Sequence, residues 1–138
     1  MASCRRPSDM SERTSSSIHR VLLVAGDPAH RARLRRILES VLLAVSEASQ
    51  LGDAVQKLLA HPFAAAVIDP TIPRVDGVEI LREIERLDRK LLHRTIVLVE
   101  PGSALAGGLA DFSVCRFLEK PVGRAPLIRT VSECLSLR

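Results

Sequence analysis

The stretch Phe63-Ala64-Ala65-Ala66-Val67-Ile68-Asp69-Pro70-Thr71-Ile72-Pro73-Arg74-Val75-Asp76-Gly77 decides how this chain folds. It opens with an unbroken apolar run and lacks the alternation of a half-exposed strand, so it suits a parallel strand covered on both faces. The run stops at Asp69-Pro70, and Pro73 and Gly77 break any continuation into regular structure. Behind Gly77, the residues Val78, Ile80, Leu81, Ile84 and Leu87 recur at helical spacing and predict an amphipathic helix. A covered strand, a loop opened by an acid and a helix make one strand–helix unit.

The same unit repeats on either side. Val21-Leu22-Leu23-Val24 is continuous and apolar, and Asp27-Pro28 offers an N-cap and a first-turn proline. The helix it starts carries Leu34, Ile37, Leu38 and Val41 on one side. A second strand is predicted over residues 42–45 and a helix over 53–60, with Val55, Leu58 and Leu59 inward. Residues 96–99 and 114–118 read as the fourth and fifth strands. A last helix over residues 125–137 presents Leu127, Ile128, Val131 and Leu135. Between those two strands, Ala106-Gly107-Gly108 falls where a helix belongs, and each glycine costs about 1 kcal/mol relative to alanine there. That helix should be short or frayed. Strands alternating with helical segments predict an α/β fold, a doubly wound five-stranded parallel sheet with helices on both faces.

At 138 residues the chain has room for one compact domain and none for an attached effector. With 46% hydrophobic residues, wholesale disorder is excluded. Residues 1–18, rich in Ser, Arg and Pro, read as a disordered tail, and residues 19–138 as the folded domain. No apolar run approaches the roughly 20 residues of a membrane span, and the tail lacks the apolar core of a secretory signal. A cytoplasmic protein with no membrane partner is expected. The net charge of +4 raises nucleic acid as a partner. No Tyr, no Trp and three Phe leave a base-stacking platform poorly supplied, and Arg31, Arg33, Arg35 and Arg36 suit a solvated helix face. Nucleic acid is therefore not expected. Cys4, Cys115 and Cys134 show no C-x-x-C spacing and no nearby His pair, and read as ordinary thiols in a reducing compartment.

In a doubly wound sheet the site lies at the carboxyl ends of the strands, where the strand order reverses. The residues there are Ala25, Gly26 and Asp27 after the first strand, Asp69 after the third, Glu100 after the fourth and Lys120 after the fifth. An Asp after a strand is often no more than a cap or turn former. An ammonium across the sheet edge changes that, because it neutralises the carboxylate or a phosphoryl group attached to it. Asp69 is thus a candidate nucleophile for phosphoryl transfer, forming an aspartyl-phosphate.

Three segments carry a specific resemblance: Val21-Leu22-Leu23-Val24-Ala25-Gly26-Asp27-Pro28, Val67 through Gly77, and Phe117-Leu118-Glu119-Lys120-Pro121. Together they resemble the receiver domain of bacterial two-component response regulators, of the chemotaxis-regulator type with a flavodoxin-like fold. The likeness covers residues 20–137, and its Asp-x-x-x-Pro-x-x-Asp-Gly and Lys-Pro signatures occur in order at family-like separation. It implies that Asp69 holds the phosphoacceptor position and that Lys120 is the lysine reaching toward it. It also implies a signalling module rather than an enzyme. Its partners would be a histidine kinase or phosphotransfer protein, a downstream protein target, or both. Homodimerisation through the fourth and fifth helices is a habit of such proteins.

Departures from the family pattern bear on the mechanism. Receivers place an acidic pair directly after the first strand, where it helps hold Mg²⁺; those positions read Ala25-Gly26. Of the carboxylates left to hold Mg²⁺, Asp69 is one, and Asp27 suits helix capping better, so weak binding is expected. Glu100 stands where a Ser or Thr hydroxyl usually meets the phosphoryl group, and Pro101 holds it extended. It is open whether Glu100 is a solvated loop acid, pairs with Lys120, or supplies the negative charge of a phosphoryl group. Ser103 offers a hydroxyl under another alignment, inside the next helical segment. Phe117, three residues before Lys120, falls at the family's aromatic switch position and equally suits plain core.

Two functional readings follow, a phosphorylation-competent receiver and a degenerate one that works by protein interaction with phosphorylation impaired or absent. The departures favour the second. A nucleotide- or small-ligand-binding domain is disfavoured, because no Gly-x-Gly-x-x-Gly or Walker-type loop follows the first strand.

Overall fold

Alternate residues of the central strands belong to two separate cores, and this determines the architecture. The computed structural model describes residues 19–72, 77–102 and 106–136. Its strands are β1 (Arg20–Val24), β2 (Ala44–Ala48), β3 (Ala65–Ile68), β4 (Thr95–Val99) and β5 (Arg116–Glu119). They form one sheet in the order β2-β1-β3-β4-β5, every neighbouring pair parallel. The helices are α1 (Pro28–Glu39), α2 (Leu51–Ala60), α3 (Gly77–Leu87), the single turn α4 (Arg89–Leu92) and α5 (Arg124–Leu135).

Leu22, Val24, Ala66, Ile68, Val97 and Val99 share one core with Ile80, Leu81 and Ile84 of α3. Val21, Leu23, Ala65, Val67, Ile96 and Leu98 share the other with Leu34 and Leu38 of α1 and Leu127 and Val131 of α5. Side chains along a strand alternate between faces, so a strand apolar at every position needs a layer on each side. The expected doubly wound sheet is what the chain forms.

Several boundaries differ from the sequence reading. The second strand spans Ala44–Ala48 rather than 42–45, and α1 stops at Glu39. Leu42 sits in the turn between them at φ 66° and is 82% exposed, so the apolar run there is not strand. As an edge strand, β2 is half-buried over most of its length, which removes the signal of a continuous apolar run. Val41 and Leu59, expected on inward helix faces, are exposed. The first lies past the end of α1; the second lies on the outer side of α2, where Ala54 is buried.

Between β4 and β5 the anticipated weak helix is a 3₁₀ turn, Ala106–Asp111. Gly108 adopts φ +82°, a conformation an α-helix does not accommodate. The turn α4 was not legible in the pattern; Asp88 caps it, its side chain accepting from the Leu91 N–H at 3.1 Å. The cysteine reading is corrected more sharply. Cys115, just before β5, and Cys134, in α5, are joined in a disulfide with Cα atoms 6.2 Å apart. Spacing along the chain hid this, because α5 folds back over the sheet and brings residues 19 apart in sequence together. Cys4, the disordered-tail reading, Ser103 and the loop 73–76 lie outside the described residues.

Candidate functional site

The strand order reverses at β1 and β3: the chain runs from β1 outward to β2, then returns to place β3 on the other side of β1. Asp69 follows β3 directly, and its backbone N–H donates to the Val24 carbonyl at 2.8 Å, extending the ladder by one bond. That bond fixes the carboxylate over the reversal point. Asp69 is buried, and its Oδ1 accepts the Thr71 backbone N–H at 3.0 Å, which turns the chain out of the strand. Farther along this loop, Gly77 starts α3 hard against Pro70. A Cβ there would lie 2.8 Å from the Pro70 carbonyl oxygen, so only glycine lets the loop close so tightly.

Lys120 approaches from the end of β5. Its backbone N–H donates to the Val99 carbonyl at 2.8 Å, and its Nζ lies 3.0 Å from each oxygen of Asp69. The same ammonium contacts Glu100 Oε2 at 2.9 Å. Of the readings open for Glu100, pairing with Lys120 is the one the geometry gives. Burial, the largest single influence, disfavours the charged ammonium. The hydrogen bonds to Glu100 and Asp69 and the attraction of both carboxylates outweigh it together, and hold Lys120 above its ordinary pKa.

Asp27 caps α1, its Oδ2 accepting the His30 N–H at 2.8 Å. The cap brings His30 round to the strand ends, with Nε2 buried 3.3 Å from Asp69 Oδ2. The contact has ion-pair distance without the alignment of a hydrogen bond. Sequence reading missed His30. The signal was there: the third residue of a helix capped directly after β1 sits at the carboxyl edge of the sheet. Arg31, next along, donates to the Ala25 carbonyl at 2.9 Å and pairs with Glu47 at 3.1 Å. Arg35 also pairs with Glu47, at 2.6 Å, and Arg33 donates to the Val122 carbonyl at 2.6 Å. Much of the basic cluster is thus bound within the domain. Phe117 is half-buried and packs against the α3-side core with Phe112 and Val114.

The donor set fits Mg²⁺ poorly. Mg²⁺ takes oxygen ligands in near-octahedral geometry, usually through carboxylates and water. Here Ala25 and Gly26 carry no carboxylate, the Ala25 carbonyl accepts from Arg31, and Asp27 is engaged in capping. Asp69 itself faces an imidazole and an ammonium. Among the described residues, no group of three or more His, Cys, Asp or Glu side chains is arranged to hold a metal ion.

Comparison with known proteins supports the fold and shows the family. The family model described as the response regulator receiver domain matches residues 21–132. The chain is 30% identical over 106 residues to the chemotaxis protein CheY of Bacillus subtilis (strain 168), covering 72% of this chain and 87% of that protein. Among solved structures, a CheY-like receiver domain protein from Methanospirillum hungatei JF-1 superposes with a TM-score of 0.77 at 24% identity, covering 86% of this chain and 94% of that one. The receiver domain of a sensor histidine kinase from Pseudomonas aeruginosa PAO1 gives 0.74 at 24% identity, covering 86% and 98%, and holds a magnesium ion in its active-site cleft. The chain belongs to the response regulator receiver family of two-component signalling. No helix among the described residues is long and apolar enough to cross a membrane.

Proposed function

We propose that this receiver signals by binding other proteins, with Mg²⁺-dependent phosphorylation of Asp69 impaired or absent. One observation carries the reading: the Lys120 ammonium, which in a phosphorylated receiver would meet the phosphoryl group, is shared by Asp69 and Glu100. Glu100 thereby places an anion beside Lys120 without any transfer chemistry. A phosphoryl dianion arriving at Asp69 would meet that carboxylate, and it would lack the charge neutralisation that phosphoryl transfer takes from a metal. In this reading the protein is a cytoplasmic interaction module rather than an enzyme. Its partners are a histidine kinase or phosphotransfer protein, a downstream protein, or both, and a second copy is compatible with the fold. The face formed by the 3₁₀ turn, β5 and α5 is where such contact is expected, with Phe117 as its internal switch position.

A competent receiver is the second reading, favoured by the buried Asp69 and the lysine within 3.0 Å of it. Incubation with acetyl phosphate and Mg²⁺, read by intact mass, separates the two. Little or no stable gain of a phosphoryl group is expected. Stoichiometric gain in the native chain that disappears in Asp69→Asn would establish the second reading instead.

A further inference from the structure

This inference rests on the reading of the site just given and concerns what stands on the metal's side of Asp69. Nitrogens from three elements meet the two carboxylate oxygens. Oδ1 has the Thr71 N–H at 3.0 Å and Lys120 Nζ at 3.0 Å. Oδ2 has Lys120 Nζ at 3.0 Å and His30 Nε2 at 3.3 Å. Lys120 comes from the sheet edge, as in any receiver of this pattern. His30 comes from the first turn of α1, four residues past Gly26.

We infer that His30 is a built-in counter-group for Asp69, standing where a divalent cation would, and that it bars such ions independently of the missing acids. The other charges in the neighbourhood leave this role to His30. Arg31 is turned toward the Ala25 carbonyl and Glu47, Asp27 is committed to the α1 cap, and Glu100 is drawn to Lys120. The contact is one of proximity rather than a hydrogen bond: Nε2 is buried and lies 3.3 Å from Oδ2, so the ring occupies the space beside that oxygen. A magnesium ion on Oδ2 would sit about 2.0–2.1 Å from that oxygen. It would have to displace the buried Nε2. Restoring the acids alone leaves that obstruction in place.

Two measurements test this. The first is direct Mg²⁺ titration, followed by backbone amide shifts of residues 69–72, in Ala25→Asp/Gly26→Asp and in Ala25→Asp/Gly26→Asp/His30→Ala. The triple variant is expected to bind Mg²⁺ at least about tenfold more tightly, which is about 1.4 kcal/mol. Equal affinity in the two, absence of binding in both included, would overturn the inference. The second keeps Ala25 and Gly26: the ring resonances of His30 should shift in Asp69→Asn while those of His19, His61 and His93 hold still. A stationary His30 signal would also overturn it, and this arm does not depend on the multiple variants folding. Uptake of a phosphoryl group by the native chain would instead defeat the functional reading above, so the two failures are distinguishable.

Discussion

Removing the Lys120 ammonium tests whether the centre of this site is one buried pair with an accessory acid or three equivalent charges. The Asp69 side chain is 6% exposed and that of Lys120 17%, whereas that of Glu100 is 63% exposed. Lys120→Met strands a buried carboxylate, and losing one partner of a buried pair costs about 3–5 kcal/mol. The Thr71 N–H and His30 stay on Asp69, which places the expected cost near the lower end, about 3 kcal/mol. Glu100→Gln releases an acid that water already solvates, and should cost under about 1 kcal/mol. Asp69→Asn/Lys120→Met removes both charges of the pair and should be less destabilised than Lys120→Met alone. Urea unfolding followed by far-UV circular dichroism measures the native chain, these three variants and Asp69→Asn alone, and with no Trp or Tyr it is the natural probe. In thermal melts the lysine variant should fall by about 10–15 °C, at about 4 °C per kcal/mol for a domain of this size. Equal losses for Lys120→Met and Glu100→Gln would refute the ranking by burial. A double variant as unstable as the sum of its singles would refute the pairing itself.

Because the Lys120 pKa is raised on folding, the pair stabilises the domain fully below the unfolded lysine value, about 10.4. That contribution fades as pH climbs through the higher folded value, so stability should decline above about pH 10, and less steeply in Lys120→Met. The Cys115–Cys134 link closes a loop 19 residues apart and should contribute about 3 kcal/mol through the unfolded state. Dithiothreitol should lower the midpoint of the native chain and leave Cys134→Ser unchanged, with alkylation and intact mass counting the thiols released. Asp27→Ala should cost about 1 kcal/mol through the lost α1 cap. Gly77→Ala should be destabilised by about 1–3 kcal/mol through overpacking against Pro70, visible in the same melts.

Much of the site could be read because local chemistry and topology agree there. A residue directly after a parallel strand lies at the carboxyl edge of the sheet, so Asp69, Glu100 and Lys120 could be picked out from the chain alone. Ala25-Gly26 stands where the resemblance to receivers implies an acidic pair, and that departure raised the expectation of weak metal binding. The edge strand β2 was misplaced because half-burial erases the apolar run, and Leu42 adds a hydrophobic residue that points into water. The disulfide could not be read, because a pairing across an α/β crossover depends on where α5 docks and not on spacing.

By itself, then, the sequence determined the layered sheet and the identity of the strand-end residues, since burial periodicity and chain breakers act within a few positions. Only the tertiary structure decided how those residues share their charges. It turned Lys120 toward two carboxylates, set His30 against Asp69 and drew Arg31 away to Glu47. The strength of an electrostatic contact depends on separation and solvent exposure, and both are properties of the packed molecule rather than of any segment of chain.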